Sequence, residues 1–156
     1  MAGKCGGCTM CCKLLGISEL KKPSGAWCAL CVIAHGCSQY DTRPTSCKIF
    51  ECFWLTSQAN VEEAARMPLR LRPDKSKVVI SGDGDSVTVH CDPSQSGAWQ
   101  RGAVAAILKA LANGGKDVVV NNGIGQHFLV KDGRAVELVI SAPDGSGVQK
   151  VIGFKT

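Results

Sequence analysis

The amino-terminal third of the chain carries an unusual density of thiol groups. The stretch KCGGCTMCCK contains Cys5, Cys8, Cys11 and Cys12, and nine of the ten cysteines of the 156-residue chain lie between Cys5 and Cys52. Thiolates bind soft metal ions, and thiols also form disulfides or act in redox catalysis. The spacing of these residues, and the elements that carry them, indicate which of these chemistries applies.

The cellular compartment determines whether these thiols are reduced, and the beginning of the sequence gives an indication of that compartment. Residues 1–13 contain no apolar stretch of signal-peptide length, and no later stretch approaches the roughly 18 to 20 apolar residues that a membrane span needs. We therefore expect a cytoplasmic protein with no membrane contact. Thiols stay reduced in the cytoplasm, which favours metal ligands or reactive thiols over a disulfide framework. In a secreted chain, nine clustered cysteines would leave one unpaired.

Four of the cysteines have the spacing of a zinc site. Two residues separate Cys5 from Cys8, and after a further nineteen residues Cys28 and Cys31 repeat this spacing. In such a pattern two tight turns each direct two sulfur atoms at one tetrahedral ion. The other five clustered cysteines are enough for a second four-thiolate site, and the sequence leaves the partition open. The candidate metal ligands are therefore Cys5, Cys8, Cys11, Cys12, Cys28, Cys31, Cys37, Cys47 and Cys52.

Iron is the alternative to zinc. Cys5, Cys8 and Cys11 match the first three positions of the C-x2-C-x2-C run of iron-sulfur proteins, but Cys12 follows directly where that run has a three-residue gap and a Cys-Pro ending. A distant fourth ligand such as Cys47 would still complete a cluster. Zinc is the preferred cofactor, and iron, either as discrete ions or as an iron-sulfur cluster, stays open.

These cysteines and their neighbours resemble the YkgJ-like cysteine-cluster family, which is described as a zinc- or iron-chelating domain. The resemblance covers about the first third of the chain, and many members of the family carry His where this chain has Cys31, a change that preserves a metal ligand. The resemblance implies metal chelation but does not imply a particular reaction, so whether the protein is an enzyme stays open. The matching positions are Cys5, Cys8, Cys11, Cys12, Trp27, Cys28, Gly36, Cys37, Tyr40, Arg43, Pro44, Cys47, Phe50, Cys52 and Trp54.

The other residues of this motif have structural interpretations. We expect Arg43 to donate hydrogen bonds to backbone carbonyls or to the sulfur-rich surroundings, and Pro44 to stiffen the approach to Cys47. Four aromatic residues are expected to shield a metal core that has few aliphatic side chains, or alternatively to line a small-molecule pocket. They are Trp27, Tyr40, Phe50 and Trp54.

Residues outside the motif give weaker functional signals. His35 is expected in an exposed loop and His127 as an outward polar residue. His90 and Cys91, if they lie on a strand, point to opposite faces, which makes Cys91 a buried free thiol. Strand-like residues follow the stretch GIGQHF, where a phosphate-binding loop would open a helix, so we expect no nucleotide site there.

Composition divides the chain into three parts. Residues 1–58 are rich in Cys, Gly and aromatic residues and lack sustained periodicity, which predicts a small metal-stabilised unit. Residues 59–76 are expected to form a linker that contains a short helix near residues 61–66, capped by Asn60. Residues 77–156 predict two strands, a helix and about four more strands. The predicted fold class is α+β, with a mainly antiparallel sheet and one covering helix.

Local patterns within residues 77–156 support this order of elements. In KVVISGDGDSVTVH, Val78 and Ile80 and then Val87 and Val89 alternate on one face around a Gly-Asp turn. The helix is expected to start after Ser96 as N-cap and to stop at Gly114 or Gly115. Turns at Asn-Asn-Gly, at Asp132-Gly133 and at Asp-Gly-Ser-Gly separate the last four strands. The apolar residues with helical spacing are Val104, Ile107, Leu108 and Leu111.

The net charge gives little support for nucleic-acid binding. The formal charge is +5, and eight thiolates around two divalent ions would reduce it to about +1. The basic stretch RMPLRLRPDKSK is expected to be a solvated linker face, although binding to an acidic partner or to nucleic acid stays open. The predicted partners are metal ions, with a protein partner left open and with neither nucleic acid nor membrane expected. The basic residues concerned are Arg66, Arg70, Arg72, Lys75 and Lys77.

Three classes of function therefore stay open. The leading hypothesis is a zinc- or iron-binding protein with two thiolate-rich sites, which serves a structural, metal-handling or interaction role. The second is an iron-dependent or iron-sulfur redox or modifying enzyme. The third is a thiol-redox or nucleic-acid-binding module, against which the missing thioredoxin-like βαβ context counts.

Overall fold

The fold is α+β, as the sequence predicts. A computed structural model describes residues 5–129, 134–146 and 148–155. The first half of the chain holds short elements: α1 (Met10–Leu14), β1 (Cys31–Val32), β2 (Gly36–Cys37), α2 (Thr45–Ile49), α3 (Phe53–Ser57) and α4 (Pro73–Ser76). The second half holds β3 (Val78–Asp83), β4 (Ser86–Cys91), α5 (Gly102–Asn113), β5 (Asp117–Asn121), β6 (Gln126–Leu129), β7 (Ala135–Ile140) and β8 (Val151–Lys155). The predicted order of two strands, a helix and four strands is therefore confirmed.

The second half forms one sheet of six strands in the order β3-β4-β5-β6-β7-β8. Neighbouring strands are antiparallel except β4 and β5, which are parallel. A parallel pair needs a crossover connection, and α5 supplies it. The sheet is thus mainly antiparallel with one covering helix. The predicted Asp132-Gly133 turn lies outside the described residues.

One face of the sheet packs against α5 to form the main core. Ile80 pairs with Val89, and Val89 with Val120, so that β-branched side chains of three strands lie side by side. From the helix, Val104 and Leu108 are buried against this layer. The predicted alternation of Val78, Ile80, Val87 and Val89 is confirmed, since all four belong to this core. Ile107 and Leu111 pack against it while partly exposed.

The helix start is not where the sequence predicts it. Residues after Ser96 form a 3-10 turn, Ala98–Gln100, and α5 begins only at Gly102 with Arg101 as its N-cap. Ala98 and Trp99 are buried in the main core, and their packing holds the chain away from the helix axis at this point. The predicted Ser96 cap is therefore wrong, whereas the stop at Gly114 is confirmed.

The predicted linker helix is present only as a short 3-10 turn. This turn, Glu63–Ala65, begins after Glu62. Asn60 is not its N-cap; its side-chain amide donates to the carbonyl oxygens of Ser57, the last residue of α3, and of Ala65. Such local bonds of an Asn side chain compete with helix formation.

The cysteine-bearing segment packs on the second face of β3. Val79 is fully buried there against Met10 and Leu14 of α1. Lys13 of the same helix forms an ion pair of 2.9 Å with Asp92, just after β4. Apolar contact and charge therefore both join α1 to the sheet.

The far edge of the sheet is formed by β8. It pairs with β7 and has no other strand neighbour in the described part of the chain. Its Val151, Ile152 and Phe154 side chains are exposed. Among the described helices, none is both long enough and apolar enough to cross a lipid bilayer.

Candidate metal centre

Helix α1 carries two of the predicted ligands and fixes their direction. Met10 and Leu14 are one helical turn apart and are buried on one side of the helix. Cys11 and Cys12 lie between them in sequence and are half-buried. Successive helical residues point about 100° apart, so the two adjacent thiols point in different directions, as the sequence analysis expects.

Both C-x2-C segments form tight turns. The N–H of Cys8 donates to the carbonyl of Cys5 at 3.1 Å, and the N–H of Cys31 donates to the carbonyl of Cys28 at 3.1 Å. In the first turn Gly6 has φ of 59°, a left-handed conformation that favours glycine. The predicted knuckle-like turns are therefore present at both positions.

Three of the nine thiols form what we name the first thiol group: Cys5, Cys8 and Cys52. Cys5 is the exposed member of the group, yet partial burial of its sulfur raises its pKa to about 11, and the charges of Cys52, Cys8 and, from the neighbouring thiols, Cys12 add to this effect. Cys8 and Cys52 also pack together against Met10, Leu14 and Val79. This grouping joins the beginning of the chain to the segment before α3.

Backbone amides donate to two sulfur atoms of the first thiol group. The N–H of Leu55 lies 3.5 Å from Cys52 Sγ, and the N–H groups of Met10 and Asp74 donate to Cys8. Burial still raises the pKa of Cys8 and of Cys52, while these hydrogen bonds act in the opposite direction. Amide donors stabilise a thiolate more than a thiol, which suits sulfur atoms that ligate a metal.

The other six thiols form the second thiol group, which gathers around Cys12. The Cys12 side chain interacts with those of Cys11 and Cys31, and its bond to Cys11 is the first cause that raises its pKa. Burial raises the pKa of Cys31 to about 11, with Cys12 and Cys28 as further causes. The complete group is Cys11, Cys12, Cys28, Cys31, Cys37 and Cys47.

Three further contacts bring the second thiol group together. The N–H of Cys28 donates to the carbonyl of Cys12 at 3.0 Å. Cys31 and Cys37 are direct partners in the β1–β2 ribbon. Cys47 on α2 interacts electrostatically with Cys12, Cys28 and Cys37. The two C-x2-C pairs thus fall into different groups, so this arrangement does not support the prediction that both pairs bind one ion.

A lysine lies beside the second thiol group. The ammonium of Lys22 donates to the backbone carbonyls of Lys13, Leu15 and Pro23. Burial lowers the pKa of Lys22, and the charges of Cys28 and Cys12 act in the opposite direction. Three carbonyl acceptors fix the position of this ammonium, so its charge is held where thiolates would form.

An arginine occupies the corresponding place beside the first thiol group. Arg72 binds Asp74 through two hydrogen bonds of 2.6 and 2.7 Å, and it interacts electrostatically with Cys8 and Cys5. Its guanidinium also lies 5.9 Å from the Trp54 ring. The sequence predicts Arg72 on a solvated face. The structure contradicts this, because Arg72 is half-buried by these contacts.

The ligand type of these residues, the thiol, suits a soft metal ion, whereas their present arrangement is not that of a formed metal site. Nine thiols from six short segments lie within two groups. Burial keeps several of them protonated without a metal, while amide donors and neighbouring cations act in favour of the thiolate. Among the described residues, however, no three His, Cys, Asp or Glu side chains are arranged so that they could hold a metal ion. The ligand assignment and the identity of the metal therefore remain predictions.

The other motif residues are mostly structural. Arg43 donates to the carbonyl of Tyr40 at 2.6 Å and its guanidinium lies 3.8 Å from the Tyr40 ring. Phe50 packs beside Cys8 and Cys52, as a shielding role requires. Tyr40 does not shield the thiols, since 62% of it is exposed. Trp27 is also exposed, and Lys13 lies 5.7 Å from its ring.

The weaker candidates lie apart from the thiol groups. His35 is exposed and Cys91 is buried in the main core, both as predicted. His90 points to the other face of β4, and burial lowers its pKa. His127 is not simply an outward polar residue, because it stacks on Trp99 with ring centroids 5.2 Å apart.

Three residues around the thiols were not identified from the sequence. Thr9 is buried and accepts a hydrogen bond from the N–H of Ala34, which joins α1 to the β1–β2 ribbon. Lys22 gives no local sequence signal, because its partners are backbone carbonyls. The sequence gives a weak indication of the Arg72–Asp74 ion pair, since the two residues are only two positions apart.

Comparison of the chain with models of protein families, with curated protein sequences and with solved structures gave no significant match. The resemblance to the YkgJ-like family therefore stays a prediction, and the functional argument depends on the residues themselves.

Proposed function

We propose that the cysteine-bearing segment binds two metal ions through thiolates, with zinc as the preferred metal. The first and second thiol groups would each supply ligands to one ion. The single observation that supports this most is that nine thiols from distant segments gather in two neighbouring groups, which interact through Cys12 and Cys5 and lie beside Lys22 and Arg72. Thiolate clusters carry negative charge, which a neighbouring cation offsets.

The state of the free thiols argues for ligation over thiol catalysis. Catalytic cysteines usually have a lowered pKa, because the thiolate is the nucleophile. Here burial raises the pKa of Cys5 and of Cys31 to about 11. A metal ion removes this obstacle, since its positive charge displaces the thiol proton directly.

A bound metal would also stabilise a segment that has little apolar core of its own. Between residues 5 and 58 the buried apolar residues are few: Met10, Leu14, Ile17, Cys28 and Leu55. Structural zinc contributes on the order of 10 to 16 kcal/mol in zinc-finger peptides. The proposed role is therefore structural, and a metal-handling or protein-interaction role would use the same sites.

Metal analysis together with absorption spectroscopy tests this proposal. The chain would be purified without oxygen, from cells not overloaded with zinc, and its metal content measured beside its ultraviolet-visible spectrum. We expect about two zinc ions per chain and no visible absorption, because Zn²⁺ has a filled d shell. Iron with inorganic sulfide would contradict the zinc assignment and favour the iron-sulfur alternative.

Two variants show whether the thiols are divided correctly. Cys12→Ala removes the centre of the second thiol group and should lower the content by about one ion. Cys91→Ala is the matched control, because Cys91 is buried in the main core, away from both groups. Loss of metal from Cys91→Ala, or a folded wild-type chain that holds no metal, would contradict the proposal.

A further inference from the structure

A cavity at the start of α5 is lined by positive charge. Its volume is about 280 Å³, and it lies between residues 70–77, residues 95–98 and the first turn of the helix. We name it the basic pocket. The charged residues that line it are Arg70, Lys75, Lys77 and Arg101, and its lining contains no carboxylate.

Most of this charge has no counter-ion within the described part of the chain. Arg70 and Lys77 form no ion pair there, and Arg101 donates to the neutral side chain of Gln95 at 3.0 Å. Lys75 lies 3.9 Å from an oxygen of Asp74, whose two carboxylate oxygens already accept from Arg72. Four cations that line one cavity repel each other, and an anion between them would relieve that repulsion.

The first turn of α5 lies at the same cavity. Gly102, Ala103 and Val104 line it and form the first turn of the twelve-residue helix α5. No side chain caps this helix, and its first turn contains no acidic residue. The N–H groups of a helix's first turn have no partner within the helix.

These groups together have the chemistry of an oxyanion site. Guanidinium groups bind phosphate oxygens through two parallel hydrogen bonds, and ammonium groups add point charges. The pocket is smaller than the roughly 300 to 1,000 Å³ of typical sites for drug-sized ligands. Its cations line one open cavity, with Arg70, Lys75 and Arg101 exposed and Lys77 half-buried. A compact set of this kind is smaller than the extended groove that a nucleic-acid strand needs.

We propose that the basic pocket binds a phosphate group, either as free phosphate or as part of a small phosphorylated molecule. A phosphate monoester carries a charge of about −1.5 to −2 at pH 7, which four cations can neutralise. This site uses none of the nine clustered cysteines, so it is independent of the proposed metal ions.

The test is a titration followed by nuclear magnetic resonance of the ¹⁵N-labelled chain. Inorganic phosphate and glycerol phosphate are added separately at constant ionic strength, balanced with chloride. We expect saturable shifts of the Gly102, Ala103 and Val104 amide signals with both probes. Tighter binding of glycerol phosphate would identify a phosphorylated molecule as the ligand, and tighter binding of inorganic phosphate would identify the free ion.

Paired variants connect the shifts to the pocket. The double variant Arg70→Gln with Arg101→Gln should weaken phosphate binding at least about tenfold, the effect of losing one charge-assisted hydrogen bond. Lys109→Gln, an exposed position further along α5, should leave it unchanged. The amide spectrum of each variant shows whether it is folded.

Three results would overturn the proposal. These are shifts that do not saturate, equal phosphate affinity in the double variant and the wild type, and equal effects of chloride alone. Tight binding of a single-stranded oligonucleotide without any response to either phosphate probe would also overturn it.

Discussion

At the scale of single residues, the surroundings of the clustered thiols differ in their effect on the pKa. Burial raises the pKa of Cys8, and the amide donors of Met10 and Asp74 lower it. For Cys5, burial and neighbouring thiolates act together and raise the pKa to about 11. Without a metal, these thiols are therefore protonated at neutral pH. The amide donors become fully effective only when a cation has replaced the protons.

We therefore expect metal binding to release protons. Because the pKa values of Cys5 and Cys31 are raised to about 11, these thiols lose their protons when they ligate a metal, so the apparent zinc affinity rises with pH between about 6 and 8. Competition with a chromophoric chelator at several pH values measures this slope. A zinc affinity independent of pH would contradict thiol ligands that are protonated in the free protein.

The metal-free chain should respond to pH in the opposite direction. Unfolding lets Cys5 and Cys31 ionise near their ordinary pKa of 9.0 instead of about 11. The free energy of unfolding of the metal-free chain therefore falls as pH rises from about 9 toward 11, since the folded state retains more protons. The pH dependence of the zinc affinity reports on metal ligation, and that of the free energy of unfolding of the metal-free chain reports on thiol burial. Measuring both on the same preparation distinguishes the two effects.

The ligand types could be predicted from sequence, but their neighbours could not. Thiol density and C-x2-C spacing are local features, and local spacing is enough to suggest metal chemistry. Lys22 and Thr9 act through backbone groups that only the fold brings close. The division of the cysteines into two groups likewise depends on how α1, α2 and the β1–β2 ribbon meet.

At the scale of elements, α1 joins the thiol groups to the sheet. Its buried face packs on Val79 through Met10 and Leu14, and this contact sets the rotation of the helix. The directions of Cys11 and Cys12 therefore depend on a residue of β3 that binds no metal. The packing of β3 against α1 thus helps to orient two proposed metal ligands.

Val79→Ala should weaken zinc binding without removing a ligand. The substitution leaves a cavity under α1 and costs about 2 kcal/mol of the free energy of unfolding. The same helix can then rotate, which changes the directions of Cys11 and Cys12. Zinc affinity would be measured by chelator competition, and unfolding by denaturant titration.

Val120→Ala is the matched control for this substitution. Val120 is equally buried, but it belongs to the main core beneath α5. We expect a similar loss of stability with unchanged zinc affinity. Equal zinc affinities for the two variants would show that the packing of α1 does not control the thiols.

The helices and strands could be predicted where apolar residues recur at regular spacing on one face. The valine and isoleucine alternation of β3 and β4 identifies their inner face, and Gly114 marks the end of α5. The start of α5 was not predictable, because the burial of Trp99 in the tertiary fold outweighs the local capping signal of Ser96. Burial of Val79 on the second face of β3 also depends on α1, which is distant in sequence.

At the scale of the whole molecule, a buried ion pair joins the cysteine-bearing segment to the sheet. Asp92 is 5% exposed, and its carboxylate accepts from Lys13 and from Ser94. Burial alone would raise the pKa of Asp92, but these hydrogen bonds and the Lys13 charge outweigh it, so the pKa is lowered. The pair therefore stabilises the fold above the ordinary pKa of Asp, and this contribution is lost as pH falls through the lowered value.

Asp92→Asn should destabilise the chain at pH 7 by about 1 to 3 kcal/mol, since it leaves the Lys13 ammonium without its counter-ion. The amide oxygen can still accept from Ser94, so the turn after β4 keeps its cap. Denaturant unfolding at pH 7 and at pH 3 measures the effect, which should shrink at the lower pH.

Asp85→Asn supplies the comparison for this prediction. Asp85 pairs with Lys116 at 2.9 Å, but its side chain is 87% exposed. Exposed pairs contribute about 0 to 1 kcal/mol, so this variant should unfold nearly like the wild type. A larger loss for Asp85→Asn than for Asp92→Asn would contradict the importance of the buried pair.

The two edges of the six-stranded sheet differ in their surroundings. Helices α1, α3 and α4 contact β3, whereas β8 has apolar side chains exposed and no second strand neighbour among the described residues. An uncovered edge can accept a strand from another molecule. Two molecules that met strand to strand at β8 would form one continuous sheet of twelve strands.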